Sequence, residues 1–146
     1  KEFVRHLFET RRLLELPIIE LAAERASDAS RQEINEVADR FAEQMPLREF
    51  RELDRRFHAA IAHACGNPLL VEVYGKVLGR LFHSTGLEQM LSDEANRLEV
   101  DKIVEESTRQ HAALARAVAR GDAVTAVEEG RAHLASVEAG LIDRLV

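Results

Sequence analysis

Apolar residues recur at intervals of three and four along almost the whole chain, the spacing that lines side chains up on one face of an α-helix. Phe3, Leu7, Leu14, Ile18 and Leu21 share one such face, with Arg11 in the middle of the stripe and Pro17 expected to kink or restart the helix. A second helix is expected from about Ser30, whose hydroxyl suits an N-cap, to about Gln44, presenting Ile34, Val37 and Phe41 before Pro46 interrupts it. A third runs from Leu47 to near Cys65. The triplet Gly66, Asn67, Pro68 then reads as a helix stop, an N-cap and a first-turn proline. A fourth helix is expected from Pro68 to about Met90, with Leu70, Val73, Val77 and Leu81 inward. The fifth, about Leu98 to Arg120, and the sixth, from Asp122 to the C-terminus, are parted by Gly121 and Asp122, another stop and cap. No period-two alternation is sustained anywhere, and the good helix formers Ala, Leu, Glu and Arg dominate. The pattern predicts an all-α fold, an antiparallel bundle of about six to seven helices.

Polar residues at core positions are the exceptions to this pattern. Val100, Val104, Ser107, His111, Leu114 and Val118 form one seam on the fifth helix, and Ala126, Gly130, His133 and Val137 form another on the sixth. His111 lies ten residues before Gly121 and His133 eleven after Asp122. At about 1.5 Å per residue both imidazoles sit roughly 15 Å from the same turn, at one level across an antiparallel hairpin. On the third helix Asp54 and His58, at i and i+4, present two further donors from one face, at the edge of its apolar stripe.

Composition narrows the classes. A chain of 146 residues, 46% hydrophobic, fits one globular domain spanning 1–146 and large enough to bury a core without staples. Cys65 stands alone, which excludes an intramolecular disulfide and a CxxC zinc site, and nothing approaches the roughly 18 apolar residues of a membrane span. A soluble, cytoplasmic protein without a membrane partner is expected. A net charge of −6 with no basic cluster argues against this chain holding nucleic acid by itself.

Neutral imidazoles and a carboxylate are ordinary ligands of first-row metals, and bundle interiors are where helical proteins build such sites. Asp54, His58, His111 and His133 are therefore a candidate set for a divalent transition metal, with zinc first and nickel, manganese or iron as alternatives. The competing reading is a set of hydrogen-bonded core histidines, since the same acid and histidine spacing also occurs at Glu2 and His6 and at Glu129 and His133. Arg11 is either a ligand-binding cation or one half of a buried pair with Glu15 or Glu9, and His83 is a second candidate ligand-binding residue. His6 and His63 carry no second feature, and Cys65 suits packing rather than nucleophilic work. No catalytic residue is assigned. A metal-dependent hydrolase or lyase acting on a small carboxylate is the alternative to sensing, and would need a base such as Glu105 or Glu129 near a bound water.

Three stretches, "ETRRLLELPIIELAAERA", "LDRRFHAAIAHACGNPLL" and "STRQHAALARAVARGDAVTAVEEGRAHL", resemble the FCD domain, the effector-sensing domain of FadR-type GntR transcriptional regulators. The resemblance runs from about Phe3 to Leu141 and is most specific at D-x-x-x-H, at "GNP" and at the two histidines enclosing "ARGD". Metal-binding members of that family use an aspartate and three histidines, which fall here on Asp54, His58, His111 and His133 without substitution, and the arginine of E-x-R-x-x-x-E, Arg11 between Glu9 and Glu15, commonly faces the ligand cavity. Acyl-CoA-binding members lack the full metal set, so the resemblance implies the organic-acid-sensing branch and no enzymatic activity. It also implies a small organic-acid effector, a homodimer, and DNA binding through a winged helix-turn-helix module that is absent from these 146 residues, which begin at Lys1 rather than at a methionine.

Overall fold

A computed structural model of the chain describes residues 1–42 and 44–145. Seven α-helices follow one another: α1 (Glu2–Arg25), α2 (Asp28–Asp39), α3 (Leu47–Ala64), α4 (Pro68–Phe82), α5 (Thr85–Ser92), α6 (Arg97–Ala119) and α7 (Ala123–Ala139). A 3-10 turn, Glu94–Asn96, leads into α6 and a π-helical turn, Gly140–Arg144, extends α7. There is no strand among the described residues. The all-α expectation holds, and its helix count matches.

Most boundaries lie where turn chemistry put them. Gly66 and Gly121 both adopt positive φ (72° and 71°), the left-handed conformation that ends a helix without a Cβ penalty. Asn67 caps α4 by accepting from the backbone N–H groups of Leu69 and Leu70, and Asp122 caps α7 by accepting from Thr125. Two expectations shift. The N-cap of α2 is Ser27, whose hydroxyl takes the Ser30 N–H, and α2 stops at Asp39 rather than near Gln44. The single long helix expected from Pro68 to Met90 is two: it ends at Phe82, and Ser84 caps α5 by accepting from Leu87.

Helix α1 continues through Pro17. Proline removes the bond to the Leu13 carbonyl, but Leu13 is 73% exposed and Pro17 lies on the outer face, so the loss falls on the solvent side of the helix. Its buried face is Val4, Leu7, Phe8, Arg11, Glu15, Leu16, Ile18, Ile19, Ala22 and Ala23, broader than the expected stripe, with Leu14 and Leu21 only half-buried and Phe3 largely outside it. On α4 the inward residues are Tyr74, Leu78 and Leu81, while Val73 faces out. Helix α6 buries its whole expected seam; α7 buries Ala126, Gly130 and His133, with Leu134 beside them and Val137 only half-buried.

Helix α1 packs against α3, α4 and α7, helix α6 against α7 and α2, and α2 against α3. The core runs through the centre of this ring, and α1, α3, α6 and α7 surround its polar part.

Candidate metal centre

Each of the four expected donors reaches the centre from a helix that also supplies apolar neighbours. Asp54 and His58 leave α3 one turn apart, His111 leaves the middle of α6, and His133 leaves the same level of α7. One donor atom from each of Asp54, His58, His111 and His133 lies within 4.8 Å of the others. The rings of His111 and His133 are 4.7 Å apart, as equal counting from the Gly121 turn requires, and those of His58 and His133 stack at 5.4 Å. His58, His111 and His133 are buried, whereas the Asp54 side chain keeps 20% exposure.

The donor atoms converge without satisfying one another. Asp54 Oδ1 is 3.0 Å from His58 Nε2 and 3.1 Å from His111 Nε2, yet all three atoms are buried and lack a hydrogen bond of proper geometry among the described residues. Buried polar atoms in that condition are costly, and one cation would satisfy all three together. The outer nitrogens of two rings are anchored. His58 Nδ1–H donates to Glu15 Oε1 at 2.6 Å, and His133 Nδ1–H donates to Gln110 Oε1 at 2.7 Å. Each bond leaves the Nε2 lone pair for the interior, the arrangement by which outer partners orient imidazole ligands. His111 is held instead by packing, its ring 4.7 Å from that of Phe41 and 4.6 Å from that of Phe57.

Electrostatics favour lone pairs over protons on two of the rings. Burial lowers the pKa of His111, and burial followed by the neighbouring imidazoles holds His133 well below the usual histidine range, so both are neutral. Burial alone would raise Asp54, but His111 and His58 outweigh it and keep the carboxylate ionised. His58 differs: burial opposes its charged form, yet Glu15 and then Asp54 prevail and raise it to about 9. In the absence of a cation, the second proton on His58 belongs to the nitrogen that faces Asp54.

Arg11 is buried on α1 and paired with Glu15 four residues on, Nε to Oε2 at 3.0 Å and Nη2 to Oε2 at 2.9 Å. It also borders an interior cavity of about 50 Å³ beside the cluster. Asp54, Ser107 and His133 line the polar end of that cavity, and Leu81, Leu87, Ile103 and Leu141 are among its apolar walls. The pair with Glu15 is the one expected of Arg11, and the same side chain also borders the cavity. His83 does not join them. It is the exposed C-cap of α4 and lines an outer groove with Arg48, Arg51 and Arg55. Glu105 is exposed, and neither it nor Glu129 belongs to the donor cluster. The carboxylate that does adjoin the cluster is Glu15, engaged by Arg11 and His58. Glu15 was expected only as a partner of Arg11; its contact with His58, and that of Gln110 with His133, are what sequence reasoning missed.

No helix among the described residues is long and apolar enough to cross a membrane. The FCD domain family matches residues 6–136. The HTH-type transcriptional regulator LutR of Bacillus subtilis (strain 168) is 30% identical over 142 residues, which cover 94% of this chain and 62% of that protein, so the chain spans less than two thirds of its relative's length. Among solved structures, the metal-free FCD domain of TM0439 is similar over 98% of this chain and 94% of its own, with a TM-score of 0.73 and 26% identity. Motifs, helix order and this match over nearly the whole length agree: the chain belongs to the FCD domain family, the effector-sensing domains of GntR-type regulators.

Proposed function

We propose that this domain senses a small carboxylate through a divalent transition-metal ion held by Asp54, His58, His111 and His133. The observation that carries the reading is the convergence of four donor atoms from three helices within 4.8 Å, three buried polar atoms among them lacking hydrogen bonds among the described residues. Three imidazoles and one carboxylate suit zinc, nickel, manganese or iron, the ion displacing the second proton of His58. When bound, such an ion supplies a Lewis-acidic centre with coordination positions beyond the four protein ligands.

The chain's own residues would do the rest. Asp54, His133 and Ser107 form the polar end of the cavity, Arg11 and Arg51 contribute permanent positive charges, and the aliphatic wall lowers the local polarity and so strengthens each polar contact inside. Because Arg11 already serves Glu15, an incoming carboxylate shares the guanidinium rather than taking it over. A cavity of about 50 Å³ suits a small acid better than a long chain. The carboxylate nearest the cluster is engaged on both oxygens, which supports sensing over hydrolysis. By relation to LutR, ligand binding here controls a DNA-binding module elsewhere in a cytoplasmic regulator, and pairing of two such domains matches the two-fold symmetry of operators. The 146 residues act as one sensing unit.

Metal content after mild purification, followed by calorimetric titration of small carboxylates into metal-loaded and chelated protein, tests the proposal. Metal-dependent binding is expected, weakened in Arg11→Ala without loss of the ion. Binding that ignores both chelation and Arg11 overturns it.

A further inference from the structure

Glu15 is the side chain that touches both halves of the proposed site. It is 3% exposed, and a buried carboxylate is tolerated only when its oxygens are compensated. One oxygen, Oε1, accepts from His58 Nδ1 on α3 at 2.6 Å; the other, Oε2, accepts from Arg11 Nε at 3.0 Å, with Nη2 at 2.9 Å. Tyr74 of α4, also buried, adjoins the same two charges. The Arg11 contact is local, set by i,i+4 spacing on one helix, whereas the His58 contact exists only because α1 packs on α3.

We propose that Glu15 is a positioning residue that couples Arg11, one of two arginines lining the cavity, to the histidine cluster, so that neutralising Arg11 strengthens His58 as a metal ligand. An imidazole that gives its Nδ1–H to a carboxylate is the better donor at Nε2, and the gain depends on how much of the carboxylate's charge is left to it. Arg11 takes part of that charge. An anion in the cavity that shares Arg11 leaves more of the Glu15 charge to His58. By linkage, a cation at the cluster then raises the cavity's affinity for the anion by the same factor, in addition to any direct contact between the two.

The inference rests on the metal reading above, and its test separates the two. The probe is Co²⁺ alone, titrated by absorbance into the whole protein at mildly alkaline pH, for wild type, E15Q, R11Q and the double variant. E15Q is expected to weaken Co²⁺ by about 10–100-fold and to shift its visible bands, which a purely structural role would not do. R11Q is expected to tighten Co²⁺ when Glu15 is present and to leave it unchanged in the E15Q background. Wild-type affinity and spectrum in E15Q overturn the coupling, as does an equal effect of R11Q in both backgrounds, the mark of simple charge removal. A wild type that takes up no Co²⁺ overturns the metal reading and the coupling with it. If circular dichroism shows E15Q unfolded, E15D replaces it in the same cycle with the same expectations, because the shorter carboxylate cannot span both partners.

Discussion

Replacing His111 with leucine is expected to stabilise the metal-free protein and to abolish its stabilisation by metal. The ring is 0% exposed, packed among Phe41, Phe50 and Phe57, and its Nδ1 has no hydrogen-bond partner among the described residues. Leaving such a buried nitrogen unsatisfied costs about 1–3 kcal/mol. Leucine has a similar volume, and a swap of that kind costs less than about 1.5 kcal/mol in repacking. The balance is a gain of about 1 kcal/mol, or roughly 2–4 °C in Tm for a domain of this size. With an ion at a hundredfold its Kd, wild type gains about 2.7 kcal/mol and the variant gains nothing. The order of stability therefore inverts between chelator and metal. Thermal unfolding of both proteins in EDTA and in excess Zn²⁺ reads this directly. A variant less stable than wild type in EDTA would refute the idea that the imidazole is frustrated without a cation, and equal Zn²⁺ stabilisation would remove His111 from the ligand set.

Four further outcomes are expected. In chelated protein the folded-state pKa of His58, about 9, lies above its unfolded value near 6.5, so its contribution to stability is full below about 6.5 and lost as pH rises through 9; Tm falls across that window, and His58→Gln flattens the slope. Gln110→Leu removes the acceptor of His133 Nδ1–H and lowers Zn²⁺ affinity by about tenfold or more, read by competition with a chromophoric chelator. A Cβ at Gly130 would lie 2.5 Å from Ile19 Cδ1, so Gly130→Ala destabilises by about 1 kcal/mol despite alanine's better helix propensity, and Ile19→Val in the same protein restores part of the loss in denaturant titration; strictly additive losses contradict this. Asn67→Ala leaves the Leu69 and Leu70 N–H groups uncapped and costs about 1 kcal/mol, seen as a lower midpoint in urea, with no change in metal affinity.

The sequence by itself determined what depends on local chemistry. Helix stops at Gly66 and Gly121, caps at Asn67 and Asp122, and the inward seams of α6 and α7 follow from backbone conformation and the 3.6-residue period, and so does the common level of His111 and His133. Where two turn signals competed, as at Ser27 and Ser30, or where a short break fell inside an apolar run, as at His83, local rules did not choose. Which face of a helix is buried also depends on its neighbours: α1 touches α3, α4 and α7, so its inward surface is wider than one stripe and includes Glu15, while Val73 of α4, on the same period as Leu81, is exposed. Tertiary structure alone decided the partners of the cluster. Period and spacing bring Asp54, His58, His111 and His133 toward one interior, but the bonds from Glu15 to His58 and from Gln110 to His133 join residues 43 and 23 apart. A hydrogen bond is set by angstroms between helices, and a periodic pattern fixes only the direction in which each side chain points.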